Sequence, residues 1–215
     1  MIRFHLFGIP VTIQPFFWIT MTIIGAMNTG GGTGRDSTIL VALFVLAGSL
    51  SILVHELGHA LAIRFFGLPT AITLHSFGGF AIHPAGILTR PQNFLVTAAG
   101  PGIQFLLGVA AFLALRLLDP VTANPHLHHF LGFLVLVSWF WAAINLVPVL
   151  PLDGGRLLDA ILGPARIRVT LWISIVSALA IAALMFTQSR GFILPVFLCF
   201  MAWESWKSLK TLSPR

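Results

Sequence analysis

Charge is what this sequence has least of. Only 8% of its 215 residues are charged, and just six are Asp or Glu, against about a quarter charged in an ordinary globular domain. A soluble chain of this length cannot cover its surface with so few charges, so most of the surface is expected to face lipid. Hydrophobic residues make up 57% of the chain and the mean hydropathy is +0.97. Cysteine is nearly absent too. Cys199 stands alone in an apolar run, which excludes a disulfide framework and a thiolate metal site and leaves it as a small buried hydrophobe. The net charge of +6 is not gathered into an aromatic-interleaved basic patch, so no nucleic-acid partner is expected. Met1 to Gln14 is short, broken by Gly8 and Pro10, and followed by no small-residue cleavage site. It does not read as a cleaved signal peptide.

Long apolar runs are what the chain does have. They predict an all-α polytopic membrane protein, a single domain over 1–215, with about six transmembrane helices near 13–29, 38–66, 93–118, 130–148, 168–188 and 191–208. The first is the weakest, because Pro15 and Gly25 interrupt it. Arg3 to Ile13 instead suits a short interfacial hairpin, with β-branched and aromatic residues around Gly8-Ile9-Pro10. Leu68 to Pro84 also reads as strand-like, and Asn28 to Ser37 as a Gly-rich loop. Six spans put both termini on one side. Arg3, Arg64, Arg90, Arg156, Arg166, Arg168, Lys207, Lys210 and Arg215 share that side, leaving Arg35, Arg116 and Arg190 towards the other. The positive-inside rule makes the crowded side the cytoplasm.

Among the six acidic residues, Asp36 and Asp119 fall in loops, whereas Glu56 lies inside the second span. An ionisable group there is costly and marks a functional site by default. It belongs to His55-Glu56-Leu57-Gly58-His59. Two histidines four residues apart share one helix face and reach one metal ion. The carboxylate after the first is left beside the metal, able to take a proton from water. A catalytic zinc site needs a third protein ligand. The candidate is Asp153, in Asn145-Leu-Val-Pro148-Val-Leu-Pro151-Leu-Asp153-Gly154-Gly155-Arg156. Its two prolines predict an irregular, unwound stretch, tolerated at membrane depth only inside protein or beside a water-filled cavity; Gly154 and Gly155 then allow a tight turn. Counting about 1.5 Å per residue back from Arg64 sets the metal roughly 8–14 Å below the cytoplasmic face.

These motifs together closely resemble the site-2 protease family of intramembrane zinc metalloproteases. The likeness runs along nearly the whole chain. The N-terminal hairpin and Phe77-Gly78-Gly79-Phe80-Ala81 resemble the family's extended elements, and Ala99-Gly100-Pro101-Gly102 its third-helix motif. The resemblance implies zinc bound by His55, His59 and Asp153, Glu56 as general base, and Asn145 holding the substrate or its oxyanion. It implies hydrolysis of peptide bonds in or near transmembrane segments of protein substrates, in the cell membrane of a bacterium or archaeon. No inserted PDZ-like or nucleotide-binding domain is expected. One departure is Gln104, where relatives often carry Asn or a small residue; it puts substrate detail in doubt, not the metal site. The strand-like stretch Ile72 to Ile82 is either an edge for an opened substrate peptide or a structural re-entrant loop.

The competing class is a non-enzymatic zinc-binding membrane protein or metal transporter. A transporter wants ligands near the bilayer midplane with access from both sides, and these ligands cluster towards one face. A rhomboid-like serine protease is the weaker alternative: Gly48-Ser49 lies in a span without a matching catalytic setting. His126, His128 and His129 read as a solvated loop on the far side, and His75 and His83 as water-facing strand positions. Trp139, Trp141, Trp203 and Trp206 read as interfacial or helix-packing residues. The oligomeric state is not legible.

Overall fold

The computed structural model describes residues 1–30, 32, 34–76, 78–84, 86–118, 124–188 and 193–212. Phe77, Asp119, Arg190, Arg215 and part of the Gly-rich loop, all invoked above, lie outside these. The chain divides into two compact units: Met1–Ile87 with Ala99–Ala142, and Leu88–Ala98 with Ala143–Arg215.

The first unit opens with β1 (Ile2–Leu6) and β2 (Ile9–Ile13), the hairpin its sequence predicts. Phe7 and Gly8 form the two-residue turn with φ of 50° and 74°, the left-handed pair that matches strand twist in tight hairpins. Pro15 then starts α1 (Pro15–Asn28), where a missing N–H costs nothing. After the Gly-rich loop comes α2 (Arg35–Phe65), 31 residues long. It is followed by a second hairpin, β3 (Ala71–His75) and β4 (Gly78–Ile82). The N-terminal hairpin and the strand-like Leu68 to Pro84 stretch were expected as separate pieces. They are one four-stranded sheet in the order β1-β2-β3-β4, joined by parallel pairing of Val11–Ile13 with Ile72–Leu74. Alternation explains the joint: Ile9, Val11, Ile13, Ile72 and Leu74 are buried on one face. They form one core with Phe17, Met21, Phe44, Ile52 and Leu57. The Arg64 guanidinium donates to the carbonyl of Phe7, tying the end of α2 to the hairpin turn.

The unit is completed by most of α3 (Arg90–Leu117) and α4 (Pro125–Asn145). The segment expected as a loop around His126, His128 and His129 is the first turn of α4, still exposed. Asn124 explains it, because its Oδ1 accepts from the His126 N–H at 2.9 Å and caps the helix. Trp139 fills the space beside Gly108 and stacks near Phe105 and Phe112, a packing role.

The second unit contains α5 (Asp153–Leu162), a 3-10 turn (Pro164–Arg166), α6 (Ile167–Gln188) and α7 (Ile193–Thr211). Val149, Ala178, Ala182, Leu198, Met201 and Ala202 form its core. Arg90 donates to the carbonyls of Ala160 and Ile161, satisfying acceptors at the end of α5. Lys207 and Lys210 sit over the rings of Trp203 and Trp206, the amphipathic pairing usual at a membrane interface. Cys199, expected to be buried, is exposed; its helix turns that side outward together with Phe200 and Val196.

Among the described residues, four helices are long and apolar enough to cross a membrane: Arg35–Phe65, Arg90–Leu117, Pro125–Asn145 and Pro164–Gln188. α1 is only 14 residues long, about 21 Å against the roughly 30 Å of a hydrocarbon core. Their outward faces carry Leu106, Leu113, Phe140, Val176 and Leu184, all about half exposed or more. Water does not tolerate so continuous an apolar surface on a monomer, and lipid does.

Candidate metal centre

α2 carries the histidine–carboxylate motif in its buried stretch. His55 is 3% exposed, Glu56 4% and His59 9%. The helical period places both imidazoles on one face, with ring centroids 4.7 Å apart and their Nε2 atoms 3.1 Å apart. Two nitrogens bound tetrahedrally to one zinc at about 2.0–2.1 Å would lie about 3.3 Å apart. The pair is thus spaced for a shared ion.

Two neighbours leave room for this arrangement by having no side chain. A Cβ at Gly100 of α3 would collide with the His59 ring, and one at Gly58 would strike the carbonyl of Ala99 and the Ile103 side chain. The Ala-Gly-Pro-Gly motif therefore works as a clearance that lets α3 close on the metal-binding face of α2. Pro101 sits inside α3 without ending it. A third clearance lies on the sheet: a Cβ at Gly79 of β4 would meet Cγ and Oε1 of Glu56 and the Leu74 side chain. Nothing in sequence pattern singled out Gly79 for this purpose.

Gln104 was expected to alter substrate detail. It lies instead against a metal-ligand candidate, fully buried, with its Oε1 3.0 Å from His55 Nδ1.

In the second unit, Asn145 closes α4, half-buried. The stretch expected to be unwound after it is irregular as far as Leu152, but its amides are not stranded. Leu150 N–H donates to Ser174 Oγ at 3.1 Å, Val147 N–H to the carbonyl of Ile144 in the last turn of α4, and Val149 and Leu152 donate within the loop. The tight turn predicted at Gly154-Gly155 is the first turn of α5. There a Cβ at Gly154 would strike the carbonyls of Leu146 and Val147, and one at Gly155 the backbone of Val149 and Leu150. The glycines let the proline-bearing loop fold back onto the helix start. Asp153 is the first helical residue, 6% exposed, and the helix dipole favours a carboxylate there.

His55 and His59 of the first unit and Asp153 of the second are the candidate ligands. Two imidazoles and a carboxylate are a donor set compatible with zinc. His126, His128 and His129 have no part in it. Outside the spanning segments, His75 of β3 packs its ring 5.3 Å from that of Phe80. Burial holds its pKa below the ordinary 6.5.

Comparison with known proteins agrees. The family described as Peptidase family M50 matches residues 117–186. A zinc metalloprotease of Methanocaldococcus jannaschii is 27% identical over 74% of this chain and 44% of its own length. Stage IV sporulation protein FB of Bacillus subtilis is 31% identical over 69% of this chain and 46% of its own. The chain thus spans less than half the length of these curated relatives. The solved structure of a site-2 protease from Methanocaldococcus jannaschii matches all of this chain and 97% of its own, with a TM-score of 0.62 at 23% identity, which is a shared fold. The chain thus resembles peptidase family M50 over residues 117–186 and shares its fold with a site-2 protease.

Proposed function

We propose that this chain is a single membrane-embedded zinc metalloprotease domain that hydrolyses peptide bonds in or beside transmembrane segments of protein substrates. The observation that carries the reading is a buried carboxylate, Glu56, between His55 and His59 in sequence, with the Nε2 atoms of those two imidazoles 3.1 Å apart in an apolar helix. An ionisable group so placed needs a function to justify its cost. His55, His59 and Asp153 hold the zinc, which when bound supplies a Lewis acid for the scissile carbonyl. Glu56 takes the proton of the attacking water and hands it to the leaving amine. Asn145 meets the substrate or its developing oxyanion. The name of the M. jannaschii relative, a zinc metalloprotease, fits this reading.

A helical substrate hides its carbonyls and must open before attack. The sheet supports a way to hold the opened peptide. β4 is an edge strand, and its Gly79 adjoins Glu56, so a peptide added along β4 runs past the general base. In this reading α1 and α7 complete six spans, with both termini in the cytoplasm of a bacterial or archaeal cell.

The metal-transport alternative is separated by turnover. Purified protein in vesicles with a transmembrane reporter peptide should cut it. Glu56→Gln should lower the rate by about 10²–10⁴-fold and keep its zinc. Normal cleavage by a zinc-loaded Glu56→Gln would overturn the proposal.

A further inference from the structure

Four polar side chains make a connected line through the first unit. Gln104 Nε2 donates to Ser51 Oγ at 2.9 Å and lies 3.4 Å from the Ser51 carbonyl. Ser51 Oγ is 2.9 Å from Ser138 Oγ, and Gln104 Oε1 is 3.0 Å from His55 Nδ1. Ser51, Gln104 and Ser138 have no exposed surface at all. In surroundings this apolar, each donor must find an acceptor.

That requirement fixes the direction of the bonds Gln104 makes. The Ser51 carbonyl only accepts, so the amide of Gln104 turns its Nε2 towards Ser51 and its Oε1 towards the imidazole. Oε1 only accepts as well. Nδ1 of His55 must then carry the hydrogen, which leaves Nε2 bare and facing Nε2 of His59. We propose that Gln104 is a positioning residue for the metal site: it holds the His55 ring in the one tautomer and orientation that offers Nε2 to zinc. The inference rests on His55 being a zinc ligand.

The helix geometry supports the assignment. Gly100 and Gln104 are four apart on one face of α3, as His59 and His55 are on α2, and the two pairs meet in antiparallel order. One residue gives His59 its room; the other gives His55 its bearing. The length of the side chain matters, because Asn at this position has one methylene fewer to reach Nδ1 while holding Ser51. Removing such an outer partner commonly lowers metal affinity about 10–100-fold.

The test compares full-length wild type, Gln104→Asn, Gln104→Leu and Gln104→Glu, each purified in detergent. Zinc loss is titrated with a chelator. Gln104→Asn and Gln104→Leu should release zinc at about 10–100-fold lower chelator concentration. Gln104→Glu restores an acceptor for Nδ1–H and should hold zinc at least as well as wild type. Retention by Gln104→Leu equal to wild type, or loss from Gln104→Glu equal to Gln104→Leu, would overturn the proposal. A second readout needs no metal. In zinc-free protein, ¹⁵N spectra of labelled histidine should show Nδ1–H for His55 in wild type and lose it in Gln104→Leu. If wild type takes up no zinc, the metal reading fails, while the spectra still decide whether Gln104 sets the tautomer.

Discussion

Gly79 of β4 sits where an added side chain would collide with Glu56. A Cβ there would press on Cγ and Oε1 of the carboxylate. The Glu56 side chain and β4 are thus fitted closely to each other at this point.

Gly79→Ala should therefore act on chemistry more than on folding. Gly79 is not among the positive-φ glycines, so alanine fits the backbone and the clash falls on the side chains of Glu56 and Leu74. A displacement of about 1 Å at a reacting group can lower turnover about 10²-fold. Turnover of a transmembrane reporter should fall about that far while zinc content holds. Unchanged turnover would show that Glu56 does not need this position.

Asp153→Ala should lower zinc occupancy, measured by metal analysis after purification. It also removes the acidic residue from the first turn of α5, at a stability cost of roughly 0.3–1 kcal/mol. Asp153→Asn keeps the shape of the side chain but not its charge and should lose zinc too. Full retention by both variants would remove Asp153 from the ligand set.

Gly154→Ala tests the folded-back loop. Its new Cβ would meet backbone carbonyls of Leu146 and Val147, which cannot swing aside as a side chain can. Overpacking of this kind costs about 1–3 kcal/mol, so the melting temperature should drop. A variant as stable as wild type would mean the loop has slack.

Cysteine labelling in sealed vesicles, on a Cys199→Ser background, tests the orientation. Labels at Arg156 and Lys210 should react only from the cytoplasmic side and at His128 only from the other; all three are exposed. Labelling of His128 from the cytoplasm would reverse the topology.

His75 gives a sign for pH. Burial lowers its folded pKa below 6.5, so below that value the unfolded chain binds a proton that the folded one resists. Its contribution to stability is present above pH 6.5 and is lost as pH falls towards the lowered value. His75→Gln should make melting temperature fall less steeply between about pH 7 and pH 5. An identical slope would show that His75 stays unlinked to folding.

The spans over α2, α3, α4 and α6 were legible because lipid imposes a length and a composition on any helix that crosses it. The histidine–carboxylate motif was legible because helical spacing alone places His55 and His59 together. Helix α5 was not, since Asp-Gly-Gly reads as a turn until Gly154 and Gly155 are seen to admit the backbone of 146–150. The joining of the hairpins escaped as well: pairing between Val11 and Ile72 leaves no local signature in either strand. Gln104 was noticed as unusual but not understood. Its role depends on Ser51 and Ser138, residues whose mutual distance no sequence period fixes.

The parallel bond between β2 and β3 also sets an order of events during synthesis. β2 ends at Ile13, and its partner strand begins at Ala71. At about 5–20 residues per second, the first hairpin waits several seconds for that partner while α1 and α2 are made. Through that interval its inner edge is an open row of donors and acceptors, with the apolar face of Ile9, Val11 and Ile13 uncovered. That edge finds its partner only when α2 has delivered β3 to it.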